Sequence, residues 1–141
     1  MHTRALKHLR NDPVMSGVVE RIGPIRLRAR RLPPFEALVR AIIHQQLSGK
    51  AAGTILGRFE ALFQSDGFPT PDQVLKLTPE RLRCAGLSRA KAGFILGLAA
   101  RTLAGEVPTL EECDAMTDEA LIEKFTMVKG VGRWTVWVIL N

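Results

Sequence analysis

Three features of this 141-residue sequence predict an all-α fold, a compact array of about eight short helices. Apolar residues recur at three- and four-residue spacing in segment after segment, as in Phe35, Leu38, Val39, Ile42 and Ile43. A capping residue followed by proline, which marks a helix's first turn, stands at Asp12-Pro13, Thr70-Pro71 and Thr78-Pro79. No run alternates apolar and polar residues for long enough to make a strand.

The elements follow in order. Asp12 caps a helix with Val14, Val18 and Ile22 on one face, and Ile25 to Arg30, alternating apolar and basic residues, reads as a short extended connector. Pro33-Pro34 opens a helix that ends near Leu47. Ser48 caps the next, which runs to about Phe63 with Ala51, Ala52, Ile55, Leu56, Phe59 and Leu62 facing inward. Gly53 and Gly57, four apart in that helix, have the spacing of close helix packing. Thr70 and Thr78 cap two short helices. Gly86-Leu87-Ser88 closes the second of these and caps a longer one, whose core stripe is Ala92, Ile95, Leu98, Ala99 and Leu103. Arg89 and Lys91 at its start are solvated or touch a phosphate. The penultimate helix buries Leu121, Ile122 and Phe125; the last, from about Arg133, continues with Val131, Thr135, Val138 and Ile139.

Residues 1–141 are expected to form one domain, long enough to bury about two-thirds of the unfolded surface. Cys84 and Cys113 form no C-x-x-C pair and read as reduced thiols of a cytoplasmic protein, half-buried on helices, neither of them a nucleophile. There is no signal peptide and no apolar run of membrane-spanning length, so a soluble protein without a membrane partner is expected. His2, His8 and His44 are scattered, no Ser-His-Asp set is visible and no metal-ligand spacing occurs.

The net charge of +6 is unevenly placed. Residues 1–31 carry eight Lys or Arg against Asp12 and Glu20, whereas residues 106–123 carry seven acids and no base. One face should therefore attract polyanions, nucleic acid among them.

The run LIEKFTMVKGVGRWTVWVIL, Leu121 to Leu140, places a Gly-x-Gly hairpin between two apolar-periodic helices. Gly130 and Gly132 can adopt φ > 0 and, lacking Cβ, let another backbone come close. The backbone N–H groups of the hairpin, Val131 included, then meet the positive end of the last helix's dipole beside Lys129 and Arg133, an arrangement that suits a phosphate. Gly130 can equally just end one helix before the next begins. A dinucleotide site is excluded, because no strand precedes the glycines and Thr135 stands where a third glycine belongs. A second segment is FEALVRAIIHQQLSGKAAGTILGRF, Phe35 to Phe59, in which the Gln45 and Gln46 amides can hydrogen-bond a base edge or orphan backbone groups at a helix end.

Taken with AGLSRAKAGFI, Ala85 to Ile95, and KGVGRWT, Lys129 to Thr135, that segment closely resembles the helix-hairpin-helix DNA glycosylases, specifically the DNA-3-methyladenine glycosylase II group. The resemblance runs from Asp12 to Asn141. It implies a helix-hairpin-helix motif at the glycines, duplex DNA containing alkylated bases as the partner of a monomer, and excision of a flipped base such as 3-methyladenine. It implies a base pocket or DNA wedge at Gln45, Gln46 and Trp134, and phosphate binding at Lys129, Gly130, Val131, Gly132 and Arg133. An alkylated purine is cationic, and an aromatic face would select it by about 1 to 2 kcal/mol in a dry pocket. Trp137 reads as core.

In the related endonuclease III type the residue after G-x-G-x is a nucleophilic lysine; here it is Trp134, so the resemblance implies a monofunctional enzyme using water, without a Schiff base. No cofactor and no iron–sulfur cluster is expected in this group. The group's catalytic aspartate follows the hairpin tryptophan by roughly twenty residues. The sequence given ends seven residues after Trp134, so it is expected to be truncated before that aspartate, with no catalytic residue within the chain and with Val136, Trp137, Ile139 and Leu140 left without partners. Asp114 and Asp118 are expected to be solvated or to cap helices. Two further departures are His44, where a smaller residue is common, and Val136, where alanine is usual. The alternatives are a noncatalytic helix-hairpin-helix DNA-binding module and a lesion-recognition protein that excises nothing.

Overall fold

The computed structural model describes residues 3–23, 31–64 and 66–140, and among these every regular element is helical. The ten helices divide between two compact units, residues 1–30 and 31–141. No helix is long and apolar enough to cross a membrane. The connector expected at Ile25 to Arg30 lies outside the described residues.

The first unit holds α1 (Thr3–Leu9) and α2 (Pro13–Ile22). Asp12 caps α2 as the sequence predicts, its carboxylate accepting from the Val14 and Met15 N–H groups at 2.9 Å. The expected apolar face is misplaced, because Val14 and Ile22 are exposed and Val19 is the buried residue. With apolar side chains on several sides of a ten-residue helix, spacing alone does not say which side is covered.

The second unit is built around α7 (Arg89–Leu103), which packs against α3 (Pro34–His44), α5 (Pro71–Leu75) and α6 (Pro79–Cys84). Its residues Ala92, Ile95, Leu98 and Ala99 are fully buried, as are Leu38, Val39, Ile42 and Ile43 of α3, Val74 of α5 and Leu82 of α6. Leu103, expected in the same stripe, is exposed at the helix end. Thr70 and Gln73 form a reciprocal capping box on α5, and the Thr78 and Ser88 hydroxyls cap α6 and α7.

α4 (Gly49–Glu60) is capped by Ser48 and buries Ala52 and Phe59 against α3. Arg40 of α3 bonds Glu36 and Glu60 at 2.8 and 2.9 Å and lies 4.9 Å over the Phe68 ring, tying the two helices together. Gly53 and Gly57 do not serve helix packing: both are exposed, and a Cβ added to either would meet nothing within 4 Å. Ala51 is exposed as well.

The count exceeds eight because α1 forms ahead of Asp12 and because the acidic stretch makes its own helix. That helix, α8 (Leu110–Ala115), begins at a Thr109/Glu112 capping box. Met116 is extended, and Thr117 then caps α9 (Asp118–Thr126). Asp114 of α8 pairs with Arg31, and Asp118 sits in the first turn of α9, where a negative charge complements the helix dipole. Cys113 is half-buried, whereas Cys84 is exposed. Burial, with the neighbouring Asp114 and Glu112 carboxylates, pushes the Cys113 thiol above its ordinary pKa.

α10 (Arg133–Leu140) packs against α9 and α3. Its inward residues are Thr135 and the fully buried Val136, while Val138 is 59% exposed. Ile139 and Leu140 also pack on the core, so three of the four residues expected to lack partners are packed, and Trp137 is 42% exposed. Trp137 is accordingly not a core residue.

The weight carried by α7 gives two expected outcomes. Leu98→Ala should cost about 3 kcal/mol in urea unfolding by leaving a cavity, whereas Val138→Ala should change stability by less than about 0.5 kcal/mol because its side chain is largely solvated. Iodoacetamide should label the exposed Cys84 well before Cys113, whose labelling should need a higher pH, as a mass-spectrometric time course would show.

Candidate nucleic-acid interface

One helix end and two helix starts meet in the second unit. α3 stops at His44 because Gln45 turns extended and Gln46 takes φ +57°, the one non-glycine residue with positive φ among the described residues. The helix therefore ends before the expected Leu47. Its terminal carbonyls are held by Lys91, near the start of α7, whose ammonium donates to the Ile43 and Gln45 oxygens at 2.8 Å each. Partial burial draws this ammonium below the ordinary lysine pKa. Lys91, expected to be solvated or to touch a phosphate, instead caps a helix.

The Gln45 side chain crosses to the hairpin. Its Nε2 donates to the Gly130 carbonyl at 2.8 Å and to the Thr135 hydroxyl at 3.2 Å. Of the two roles open to the glutamine pair, Gln45 takes the backbone-satisfying one, while Gln46 is exposed.

Within the hairpin the glycines differ. Gly130 has φ +90°, and a Cβ there would overlap the Phe94 ring of α7, so what comes close is an aromatic ring rather than another backbone. Gly132 has no positive φ, and a Cβ there would meet nothing within 4 Å. Val131 is buried, and its N–H donates to Val128 O at 3.0 Å, which removes that amide from the outward-facing set. The first bond of α10 runs from the Val136 N–H to Gly132 O, so the N–H groups of Arg133, Trp134 and Thr135 precede it. Lys129, Gly132 and Arg133 are exposed around them.

These elements border one cleft of about 670 Å³. The end of α3 contributes His44, Gln45 and Gln46, α7 contributes Lys91 and Phe94, and α10 contributes Trp134 and Thr135. The Trp134 indole is 80% exposed. His44 Nδ1 donates to Arg40 O at 2.8 Å. No Asp or Glu lines the cleft among the described residues. The cleft thus brings together Gln45, Gln46 and Trp134. Phe94 escapes sequence reasoning, since a single aromatic in an apolar helix carries no mark of what it faces.

The two glycines should answer differently to the same substitution. Gly130→Ala should destabilise the fold by about 3 kcal/mol through left-handed strain and overlap with Phe94, and Phe94→Ala should recover part of that loss. Gly132→Ala should cost under about 1 kcal/mol. Thermal unfolding of the three variants and of the Gly130→Ala/Phe94→Ala pair checks both statements.

Comparison with known proteins places this geometry. Residues 39–136 match the family model described as HhH-GPD superfamily base excision DNA repair protein. The chain is 40% identical over 107 residues to DNA-3-methyladenine glycosylase 1 of Schizosaccharomyces pombe, covering 76% of this chain and 47% of that protein. It is 35% identical over 138 residues to the alkylbase DNA glycosidase-like protein mag2 of the same yeast, covering 96% of this chain and 65% of the relative. The chain thus spans about half the length of the first relative and a little under two-thirds of the second. In three dimensions it superposes on the 3-methyladenine DNA glycosylase of S. pombe solved in complex with abasic DNA, with a TM-score of 0.87 and 36% identity over 98% of this chain and 68% of that one. By its matched residues and its all-helical architecture, the chain belongs to the HhH-GPD superfamily of base excision DNA repair proteins.

Proposed function

We propose that these residues form the DNA-gripping and base-receiving part of a monofunctional glycosylase that removes alkylated bases, such as 3-methyladenine, from duplex DNA. The observation that carries this reading is Trp134: a large indole left 80% exposed at the edge of a cleft, beside the first turn of α10. A solvated tryptophan over a concave surface suits a flat cationic base.

The geometry supports one division of labour. The N–H groups at the start of α10, with Lys129 and Arg133 alongside, hold a backbone phosphate without reading sequence. A flipped base enters the cleft and stacks on Trp134, while Gln46 at the cleft's rim occupies the gap left in the duplex. Such a base already carries positive charge and leaves readily, so the protein's task is to hold it, exclude solvent and admit one water to the sugar. Trp134 stands where a lyase would have its lysine, so no covalent sugar adduct forms. A carboxylate that would steady the oxocarbenium-like sugar is not among the described residues that line the cleft.

The absence of a carboxylate from the described cleft lining also favours a second reading, in which the chain recognises lesions and excises nothing. Base release separates the two readings.

Gly132→Asp should weaken binding to duplex DNA of any sequence about tenfold and lower the salt dependence of affinity, because it sets a negative charge where a phosphate belongs. Fluorescence anisotropy at two salt concentrations reads this, and unchanged binding by a folded variant removes the hairpin as anchor. Trp134→Ala should abolish preference for abasic or alkylated duplex over intact duplex while leaving intact-duplex affinity within about twofold. Residues 1–141 alone should release almost no 3-methyladenine from alkylated duplex. Efficient release by them would place the carboxylate within the chain.

A further inference from the structure

Lys91 and Gln45 join three elements that local structure alone would leave independent. The Lys91 ammonium donates to two carbonyls, Ile43 O and Gln45 O, at 2.8 Å each. The Gln45 side chain donates to Gly130 O at 2.8 Å and to Thr135 Oγ1 at 3.2 Å. The next residue, Gln46, holds φ +57°, a conformation that costs a non-glycine residue free energy unless its surroundings impose it. Those surroundings are named by the two bonds to carbonyls on the Gln46 side of α3. One of these carbonyls belongs to the peptide that links Gln45 to Gln46, so fixing its oxygen fixes the plane from which Gln46 departs. The other anchors the last turn of α3. A lysine has no local reason to turn inward, and it does so here at the cost of partial burial, which lowers its pKa.

We infer that Lys91 is a positioning residue: through the Gln45 carbonyl it locks Gln46 in its left-handed conformation at the cleft rim, and through the Gln45 amide the same lock is registered to the hairpin. This rests on the DNA reading above for its consequence, but not for its structure. The Lys91 ammonium is committed to two carbonyls, and it acts through Gln46. A helix cap that merely held α3 together would raise stability and nothing else. A lock on Gln46 instead sets how well the protein tells a gapped duplex from an intact one, since the intact duplex meets chiefly the hairpin.

The test uses the 141-residue chain and two synthetic duplexes identical except for a single tetrahydrofuran abasic site. Lys91→Met keeps the stem length and removes the donors. In this variant the Gln46 amide-to-Hα coupling and backbone shifts, read by NMR, should leave their left-handed values, and the preference for the abasic duplex should fall about tenfold with intact-duplex affinity unchanged within twofold. Gln46→Ala should lose the same preference, and adding Lys91→Met to it should cost nothing more, because the two act on one device. Lys91→Arg, which keeps the charge and a fork of N–H donors, should restore part of the preference. If Lys91→Met fails to fold, Lys91→Gln, whose shorter neutral amide cannot hold both carbonyls, gives the same readouts.

A Gln46 coupling unchanged in a folded Lys91 variant overturns the lock, as do losses that simply add in the double variant. If the wild-type chain shows no preference between the duplexes, the DNA reading falls, while the NMR coupling still decides whether Lys91 sets the Gln46 backbone.

Discussion

The contact between the Gly130 backbone and the Phe94 ring is the constraint on which the rest of the interface depends. Gly130 stands at φ +90°, and the ring lies where a Cβ would go, so two independent requirements exclude every side chain at that position. The consequence reaches beyond a tight turn. Because the ring belongs to α7, the hairpin is seated against the helix that packs against α3, α5 and α6, and α10 starts from a fixed point rather than from a free loop. The N–H groups of Arg133, Trp134 and Thr135 inherit that rigidity. The proposed phosphate site, made of backbone amides, has no side-chain torsion to adjust, so its geometry is only as good as its seat.

The same helix governs the opposite wall of the cleft. Lys91 and Phe94 are three residues apart and so share a face of α7, one holding the end of α3 and the other backing the hairpin. Around them sit two local violations of the rules that the core obeys: a left-handed glutamine and a solvated tryptophan. Backbone strain of this kind costs about 1 to 3 kcal/mol, of the same order as the charge-assisted bonds that Lys91 makes. Both departures border one cleft, whereas the interior of the second unit is built of fully buried aliphatic and aromatic residues. Departures from local consistency that gather at one concavity are what a binding surface requires of an otherwise well-formed fold.

How much of this was legible in the sequence depends on whether the signal was local. Caps at Asp12, Ser48, Thr70, Thr78 and Ser88 were readable, because a cap and the N–H group it satisfies lie within three residues of each other. The Thr109/Glu112 capping box had the same form and could have revealed α8; the abundance of acids around it made the stretch look merely charged. Burial was less legible. In α10 nearly every residue is apolar, so periodicity could not choose between Val136, which is fully buried, and Val138, which is mostly exposed. That choice is made by α9 and α3, the helices packed against α10. Gly53 and Gly57 misled for a related reason: the four-residue spacing places them on one face but does not say whether anything covers it.

The glutamine pair shows most clearly where sequence reasoning stops. Gln45 and Gln46 have the same side chain and neighbouring positions, yet one is bound to the hairpin and the other is exposed at the cleft. What separates them is a change of one residue's φ to +57°. Nothing in glutamine favours that value, so the cause must lie elsewhere in the chain, and the atoms that meet there come from positions 91 and 130, 46 and 85 residues further along the chain than Gln45. The roles of these two residues are thus set by tertiary contacts. A motif can name the pair, but the lysine that holds the Ile43 and Gln45 carbonyls beside it lies in another helix.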